Sequence, residues 1–356
     1  MSKLQLKMPS LDKSSDEVNA FFEGLPADIP QIDIENIDIR KSGEIQSGTF
    51  GTTYMSEDKT RVTKVVHLSR QLKNVPKLLV HIENEIVNYH KISTLCPDFF
   101  CKFIGYHFNK SNLELYIVME HCGVDLFEFY NQMETSYLKS YARFSGNRNA
   151  IDQLDIESMT IKKIICFRIL KALHCLHKRG FAHLDLKPEN IVISSTPEKR
   201  YITKFIDAGS LTRINKSSKN KTQIYVEGTL DYMAPEIQHS SEFMDNNRAL
   251  KTLDIYAFGK LCKNILSKKE IWSIFAGSSI VNEMCDPDPK KRPDVDRIMF
   301  YLNPSMIFAN PSVFLPEYVI YLKKNKKPTS SKSSKSSKSS KSTSSSSSKS
   351  KSLKKQ

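Results

Sequence analysis

The chain has no apolar run long enough to cross a membrane. Its N-terminus lacks the apolar core of a secretion signal, so the expectation is a chain that is not secreted. None of its seven cysteines (96, 101, 122, 166, 175, 262 and 285) forms a Cys-x-x-Cys, and the count is odd. That argues against a zinc site or a disulfide frame and predicts reduced thiols in an intracellular protein. Acids are missing altogether from Lys323 to Gln356, which holds twelve lysines. Removing those twelve from the net charge of +14 leaves +2 for residues 1–322. The basic character therefore belongs to a tail, and the near-neutral body gives no sign of a nucleic-acid surface.

That tail repeats Ser-Ser-Lys from Ser330 to Lys341 and is almost devoid of apolar residues after Leu322. Burial cannot offset the entropy of ordering such a segment, so disorder is expected. Three readings stay open: a solvated end, a phosphoacceptor tail, and a tether to an anionic partner (nucleic acid, acidic protein or membrane surface).

What the sequence does contain is concentrated around His183-Leu184-Asp185-Leu186-Lys187-Pro188-Glu189-Asn190. An acid, a lysine and an amide stand at positions 0, +2 and +5. Apolar residues flank them, Phe181-Ala182 before and Ile191-Val192-Ile193 after, so the segment reads as a loop between buried elements. Phosphoryl transfer needs such a set. A carboxylate accepts the proton of the attacking hydroxyl, a cation steadies the migrating group, and an amide oxygen holds a magnesium ion. The alternative is a polar surface turn. Downstream, the short apolar strand Thr203-Lys204-Phe205-Ile206 ends in Asp207-Ala208-Gly209, and a carboxylate at a strand end can bind a divalent cation.

Together these segments resemble the catalytic loop and metal-binding Asp-Phe-Gly of eukaryotic-type protein kinases. The resemblance implies an α+β, bilobal protein kinase fold, with an antiparallel-sheet N-lobe and a mainly helical C-lobe. It makes Asp185 the base, Lys187 the phosphoryl stabiliser, and Asn190 and Asp207 the magnesium ligands. Other motifs follow in the family's order. Gln46-Ser47-Gly48-Thr49-Phe50-Gly51 is similar to the glycine-rich loop over the phosphates, although a plain hairpin turn reads the same way. Lys64 lies in the β-branched run Val62-Thr63-Lys64-Val65-Val66, where a lysine needs an anionic partner unless it reaches solvent from an edge. The family places that partner on the next helix. Apolar residues at 82, 86 and 89 give the helical period there, with Glu85 as the partner and Glu83 as its rival. Leu115–Glu120 resembles the strand before the hinge. Met119 is then the gatekeeper, and the adenine edge meets backbone groups of Glu120 and Cys122. Asp125 reaches the ribose or caps a helix.

On the protein-substrate side, Gly228-Thr229-Leu230-Asp231-Tyr232-Met233-Ala234-Pro235-Glu236 resembles the end of an activation segment. The resemblance pairs Glu236 with Arg292 and makes Asp254 the brace of the catalytic loop. Lys187 and Thr229 follow the serine/threonine pattern. Small-molecule phosphotransferases share the Asp-to-Asn spacing but lack the Lys-Pro-Glu run and this segment. Three positions depart from the family: Gln46 for the first glycine, Leu184 for the arginine that grips an activation-loop phosphate, and Ala208 for the phenylalanine under the regulatory helix. They leave a second reading, a pseudokinase scaffold that binds without chemistry.

The implied organisation is an N-terminal extension over 1–37, a kinase domain over 38–322 and the basic tail over 323–356. Within the domain the N-lobe spans about 38–120 and the C-lobe about 124–322. The resemblance implies ATP and Mg2+ as cofactors and proteins as substrates. Residues 1–36 are polar and acidic, and the sequence does not decide whether they pack on the body. A polar insert is expected over Asn131–Asp155. The chain also resembles, in style alone, the compact kinases of large DNA viruses. Cytoplasm or nucleus is the expected location, or host cell or virion for a viral protein.

Overall fold

A computed structural model of the chain describes residues 11–37, 39, 43–48, 51–196, 201–214, 229–238, 247–277 and 279–302. Thr49, Phe50, the middle of the activation segment with Ser217, Ser218, Thr222 and Tyr225, the end of the expected C-lobe and the Lys323–Gln356 tail lie outside them.

Helix α1 (Leu11–Glu23) precedes a five-stranded antiparallel sheet in the order β1-β2-β3-β5-β4. Its strands are β1 (Gly43–Gly48), β2 (Gly51–Met55), β3 (Arg61–His67), β4 (Phe103–Asn109) and β5 (Glu114–Glu120). Between β3 and β4 the chain forms α2 (Val75–Glu83), a π turn (Asn84–Asn88) and α3 (Tyr89–Leu95). Pro76 in the first turn and the Asn74 side chain, which accepts from the Lys77 N–H, start this helical run. Leu78, Ile82, Ile86, Tyr89 and Ile92 bury one side of it.

After β5 comes the short strand β6 (Val124–Asp125), then α4 (Leu126–Arg143) and the long α5 (Arg148–Lys178). The expected polar insert over 131–155 is thus helical: it lengthens α4 and the start of α5 into a hairpin closed at Phe144–Asn147. Gln132 and Glu128 pair one turn apart on its exposed surface. Short strands β7 (Phe181–Ala182), β8 (Ile191–Ser195), β9 (Tyr201–Phe205) and β10 (Thr212–Arg213) frame the catalytic loop. Helices α6 (Pro235–Gln238), α7 (Asn247–Ile265), α8 (Lys268–Ile274), α9 (Ile280–Met284) and α10 (Val295–Tyr301) complete the described C-lobe. The core of this lobe is α5, with Ile165, Ile169, Leu170, Leu173 and Leu176 buried, together with Phe258 and Leu261 of α7.

One expectation needs correction. Cys96 pairs with Cys175 at a Cα separation of 6.3 Å, which suits a disulfide, whereas Cys101 and Cys122 stand close together, 6.1 Å apart at Cα, without disulfide geometry. Cys166, Cys262 and Cys285 are unpaired thiols. Cys96 and Cys175 lie 79 residues apart, so local cysteine spacing carried no trace of the pair.

Candidate active site

Lys64 stands on β3 opposite Thr53 of β2 and pairs with Glu85 of the π turn. Its Nζ also lies 3.8 Å from Asp207 Oδ1. Glu85 is 1% exposed whereas its rival Glu83 faces solvent. Burial alone would depress the Lys64 ammonium, but Asp207 and Glu85 more than offset this and hold it above its ordinary value. Asp207 is partly open to solvent, its side chain 37% exposed. Lys64, the Gly209 N–H that it accepts at 3.0 Å, and nearby histidines hold its carboxyl well below the usual range. Two carboxylates share one ammonium, and Glu85, the more deeply buried, is pushed up to about 7 by burial despite Lys64.

The catalytic loop is knotted by its own side chains. Lys187 Nζ donates to Asp185 Oδ2 at 2.8 Å. Asn190 Nδ2 donates to that same oxygen and to the Asp185 carbonyl, both at 2.8 Å. The Thr229 N–H reaches Asp185 Oδ1 at 3.4 Å. Spending the NH2 of Asn190 on Asp185 settles which end of the amide is left for a cation, since only the oxygen ligates.

Two residues here hold left-handed backbone without being glycine: Leu184 at φ 64° and Asp207 at φ 63°. Such conformations persist only where surroundings enforce them. For Leu184 the enforcer is Asp254 of α7, fully buried, which accepts from the Leu184 N–H at 2.8 Å, the His183 N–H at 2.9 Å and His177 Nε2 at 2.7 Å. The Leu184 side chain packs with Ala182, Ile214, Ala234, Ile237, Leu250 and Leu253. Beyond it, Arg292 is buried and bidentate on Glu236, at 2.6 and 2.7 Å. It also donates to the carbonyls of Asp286 and Thr252 and lies over the Tyr256 ring. Such a planar fork suits arginine and not lysine.

At the hinge, Glu120 ends β5 and its carboxylate meets Lys204 Nζ at 3.2 Å. Met119 is buried beside it, and Cys122 follows, half-buried. Gly123 has φ 123°, and a Cβ there would lie 2.1 Å from the Ile193 carbonyl oxygen, so no other residue fits. Asp125 caps α4, accepting from the Glu128 N–H at 2.8 Å. In the β1–β2 hairpin Gly48 faces Gly51, where a Cβ would meet the Val65 carbonyl at 2.1 Å. Gln46 and Ser47 lie on β1.

Sequence reasoning missed Asn84. Its Nδ2 donates to the Gly209 carbonyl at 2.9 Å, and Asn88 Nδ2 donates to Asn84 Oδ1 at 2.8 Å. Asn84, Glu85 and Ile86 are buried in succession, more than one stripe of an α-helix supplies, and the π turn provides the extra position. His81 lies one turn before, its Nε2 3.6 Å from Glu85 Oε1. A regular helical period sets Asn84 opposite Ile82 and Ile86, so the sequence pattern carried no signal for it.

Asn190 and Asp207 offer amide and carboxylate oxygens of the kind a hard divalent cation takes. Among the described residues no cluster of three His, Cys, Asp or Glu is placed to hold a metal by itself.

The protein kinase domain family model matches residues 39–298. The chain is 24% identical over 233 residues to Cyclin-dependent kinase E-1 of Arabidopsis thaliana, covering 65% of this chain and 44% of that protein. It is 26% identical over 310 residues to a Dictyostelium discoideum protein named a probable serine/threonine-protein kinase, covering 80% and 40%. To the sporulation protein kinase mde3 of Schizosaccharomyces pombe it is 26% identical over 270 residues, covering 73% and 42%. The chain thus spans less than half the length of these relatives. With the ordered motifs, the five-stranded sheet and a match over residues 39–298, the chain belongs to the protein kinase domain family.

Proposed function

We propose that the chain transfers the γ-phosphoryl group of ATP to serine or threonine hydroxyls of proteins, and that it does so without phosphorylation of its activation segment. The observation that carries this reading is the joint placement of Lys64, Glu85 and Asp207 on one side and Asp185, Lys187 and Asn190 on the other. Asp185 accepts the proton of the substrate hydroxyl, and Lys187 stabilises the charge of the migrating group. Lys64, fixed by Glu85, holds the α- and β-phosphates. Bound Mg2+ would neutralise phosphate charge, and Asp207 and Asn190 are the residues that would hold it. Thr229, on the Asp185 carboxylate, supports a serine or threonine acceptor.

Independence from phosphorylation rests on Leu184. Where a guanidinium would need a phosphate, this side chain joins an apolar cluster with Ile214, Ala234 and Ile237, and these residues bracket the activation segment from both ends. At its described ends the segment is held by this apolar cluster, with Leu184 where the family has a cation. The rival is a pseudokinase scaffold, motivated by Gln46, Leu184 and Ala208. None of the three removes a group expected to touch phosphate or metal.

The experiment is a serine/threonine peptide array with purified protein, Mg-ATP, and Lys64→Met as control. Incorporation by the wild type but not by Lys64→Met is expected. Equal signals from both, or Mg-ATP binding with no turnover on any peptide or on the protein itself, would overturn the catalytic reading.

A further inference from the structure

Helix α1 is amphipathic at a spacing of four. Ser14, Val18 and Phe22 are buried, at 2%, 0% and 8% exposure, while Asp16, Glu17 and Glu23 face solvent. The helix packs on the 3-10 stretch Leu68–Asn74 and on α2. Those two elements offer Leu68, Leu72, Val75 and Leu78, all buried. Phe22 anchors the other side: its ring stacks on Phe108 of β4 at 3.8 Å and lies 6.1 Å from Tyr106.

The chain after α1 then runs along the free edge of β4. The Ile32 N–H donates to the Tyr106 carbonyl at 2.9 Å, and the Tyr106 N–H donates to the Pro30 carbonyl at 3.1 Å. Gln31 and Tyr106 form a parallel bridge, and His107 Nδ1 meets the Ile32 carbonyl at 3.1 Å. The edge that β4 would otherwise expose is covered at Tyr106. Gly105 allows this approach, since a Cβ there would lie 2.7 Å from Ile32 Cγ1 and 2.8 Å from the Pro30 oxygen.

Residues 11–33 therefore touch both the sheet that carries Lys64 and the helix that leads into Glu85. We propose that this arm is an internal brace that sets α2 and its π turn against the sheet and so keeps Glu85 on Lys64. Val18 and Phe22 are positioning residues for phosphoryl transfer. The inference rests on the kinase reading above and adds that the paired state is built into the chain, with no separate protein needed behind α2. Edge protection alone does not account for α1, because the backbone pairing at Tyr106 is made by Pro30–Ile32, outside the helix. The helix spends its buried face on the Leu68–Asn74 stretch and α2.

The test uses the full chain with Val18→Asp/Phe22→Asp, with Phe22→Leu as the conservative variant, and with Gly105→Val as a disruptor outside both α1 and the catalytic groups. The expected result is a kcat lowered about tenfold or more by the double variant and by Gly105→Val, the size of a population shift away from the paired state. KM for the peptide should change little, and Phe22→Leu should retain most of the rate. A synthetic peptide spanning residues 9–33, added to the double variant, should restore kcat, which a role in stability alone does not predict. Amide exchange should quicken over residues 82–90 and stay unchanged over residues 161–176 of α5. Unaltered kcat and unaltered exchange over 82–90 would overturn the brace. If the double variant does not fold, Gly105→Val and Phe22→Leu carry the same comparison. If the wild type shows no turnover, the kinase reading fails, and the exchange pattern alone then decides the brace: quickening confined to 82–90 upholds it, and none overturns it.

Discussion

Asn84 donates its side-chain amide to the backbone carbonyl of Gly209 at 2.9 Å, tying the helix that carries Glu85 to the loop that carries Asp207. In the wider family a phenylalanine packs between those two elements. Here Ala208 occupies its position, and a polar clasp of Asn88, Asn84 and Gly209 makes the connection. A net hydrogen bond of this kind contributes about 1 kcal/mol. Asn84→Ala should therefore lower kcat about fivefold through a poorer alignment of Asp207 with Lys64, with a small effect on peptide KM. Asn84→Ala/Asn88→Ala should fall little below Asn84→Ala, because the two amides act in one chain. Strictly additive losses in that double-mutant cycle, or no loss in either single variant, would show that the clasp does not couple the elements.

Leu184 makes the second prediction. Phosphatase-treated enzyme should keep most of its rate, measured against an untreated sample checked for phosphate by mass spectrometry. Leu184→Ala removes a buried side chain from the Ala182–Ile214–Ile237 cluster and should cost about 2–4 kcal/mol in denaturant unfolding. Leu184→Arg should destabilise more, since the guanidinium enters that apolar cluster without a phosphate to meet. A rate that collapses on dephosphorylation and returns on rephosphorylation would mean that another cation grips the segment.

Most of the motif chemistry was legible because it is local. The run from His183 to Asn190 places its own acid, lysine and amide, and the loop geometry follows from bonds between residues two and five apart. The bidentate Glu236–Arg292 pair was reached only through family resemblance, since its partners lie 56 residues apart. What stayed hidden depends on tertiary approach. Nothing in the polar stretch 1–36 announces that Phe22 stacks on Phe108, because one buried face of a short helix needs a partner surface to be meaningful. Asn84 hid for a similar reason: a π turn shifts the helical period by one residue, so a regular 3.6-residue reading assigns it to the wrong face. Asp125 was open between ribose and cap; it caps α4, and a contact with ribose remains a proposal.

Lys163 gives a prediction in pH. It is buried in α5, and burial holds its ammonium below its ordinary value of 10.5, at about 8. The folded chain thus binds this proton less tightly than the unfolded chain. Stability should rise as pH goes from about 8 to 10.5, and the deficit is fully present below about 8. Lys163→Met removes the buried charge at similar length. The expected outcome is a higher Tm at pH 7 and a flatter dependence on pH above 8, read by thermal melts across that range. A lower Tm at every pH would mean that the contacts of the ammonium outweigh its desolvation.

The last prediction concerns the tail, which we propose tethers the enzyme to anionic surfaces. Its twelve lysines are spaced largely by serines and stand beyond every catalytic motif, the last of which ends at Arg292. Removing Lys323–Gln356 takes the net charge from +14 to +2. Turnover on a short peptide should then be unchanged, since no group assigned to phosphate, metal or hydroxyl lies in the deleted stretch. Binding to a polyanion should weaken sharply, because such binding comes from lysines displacing condensed counterions and fades as salt rises. Phosphorylation of the interspersed serines would act in the same direction, each phosphate offsetting between one and two lysine charges. The measurement is a salt gradient on heparin resin for full-length, truncated and autophosphorylated protein, with peptide kinetics on the same samples. Elution of the truncated form well before the full-length form is expected, with the autophosphorylated form between them. Identical elution of full-length and truncated protein rules out the tether, and a collapse of peptide turnover on truncation shows that the tail takes part in the catalytic body.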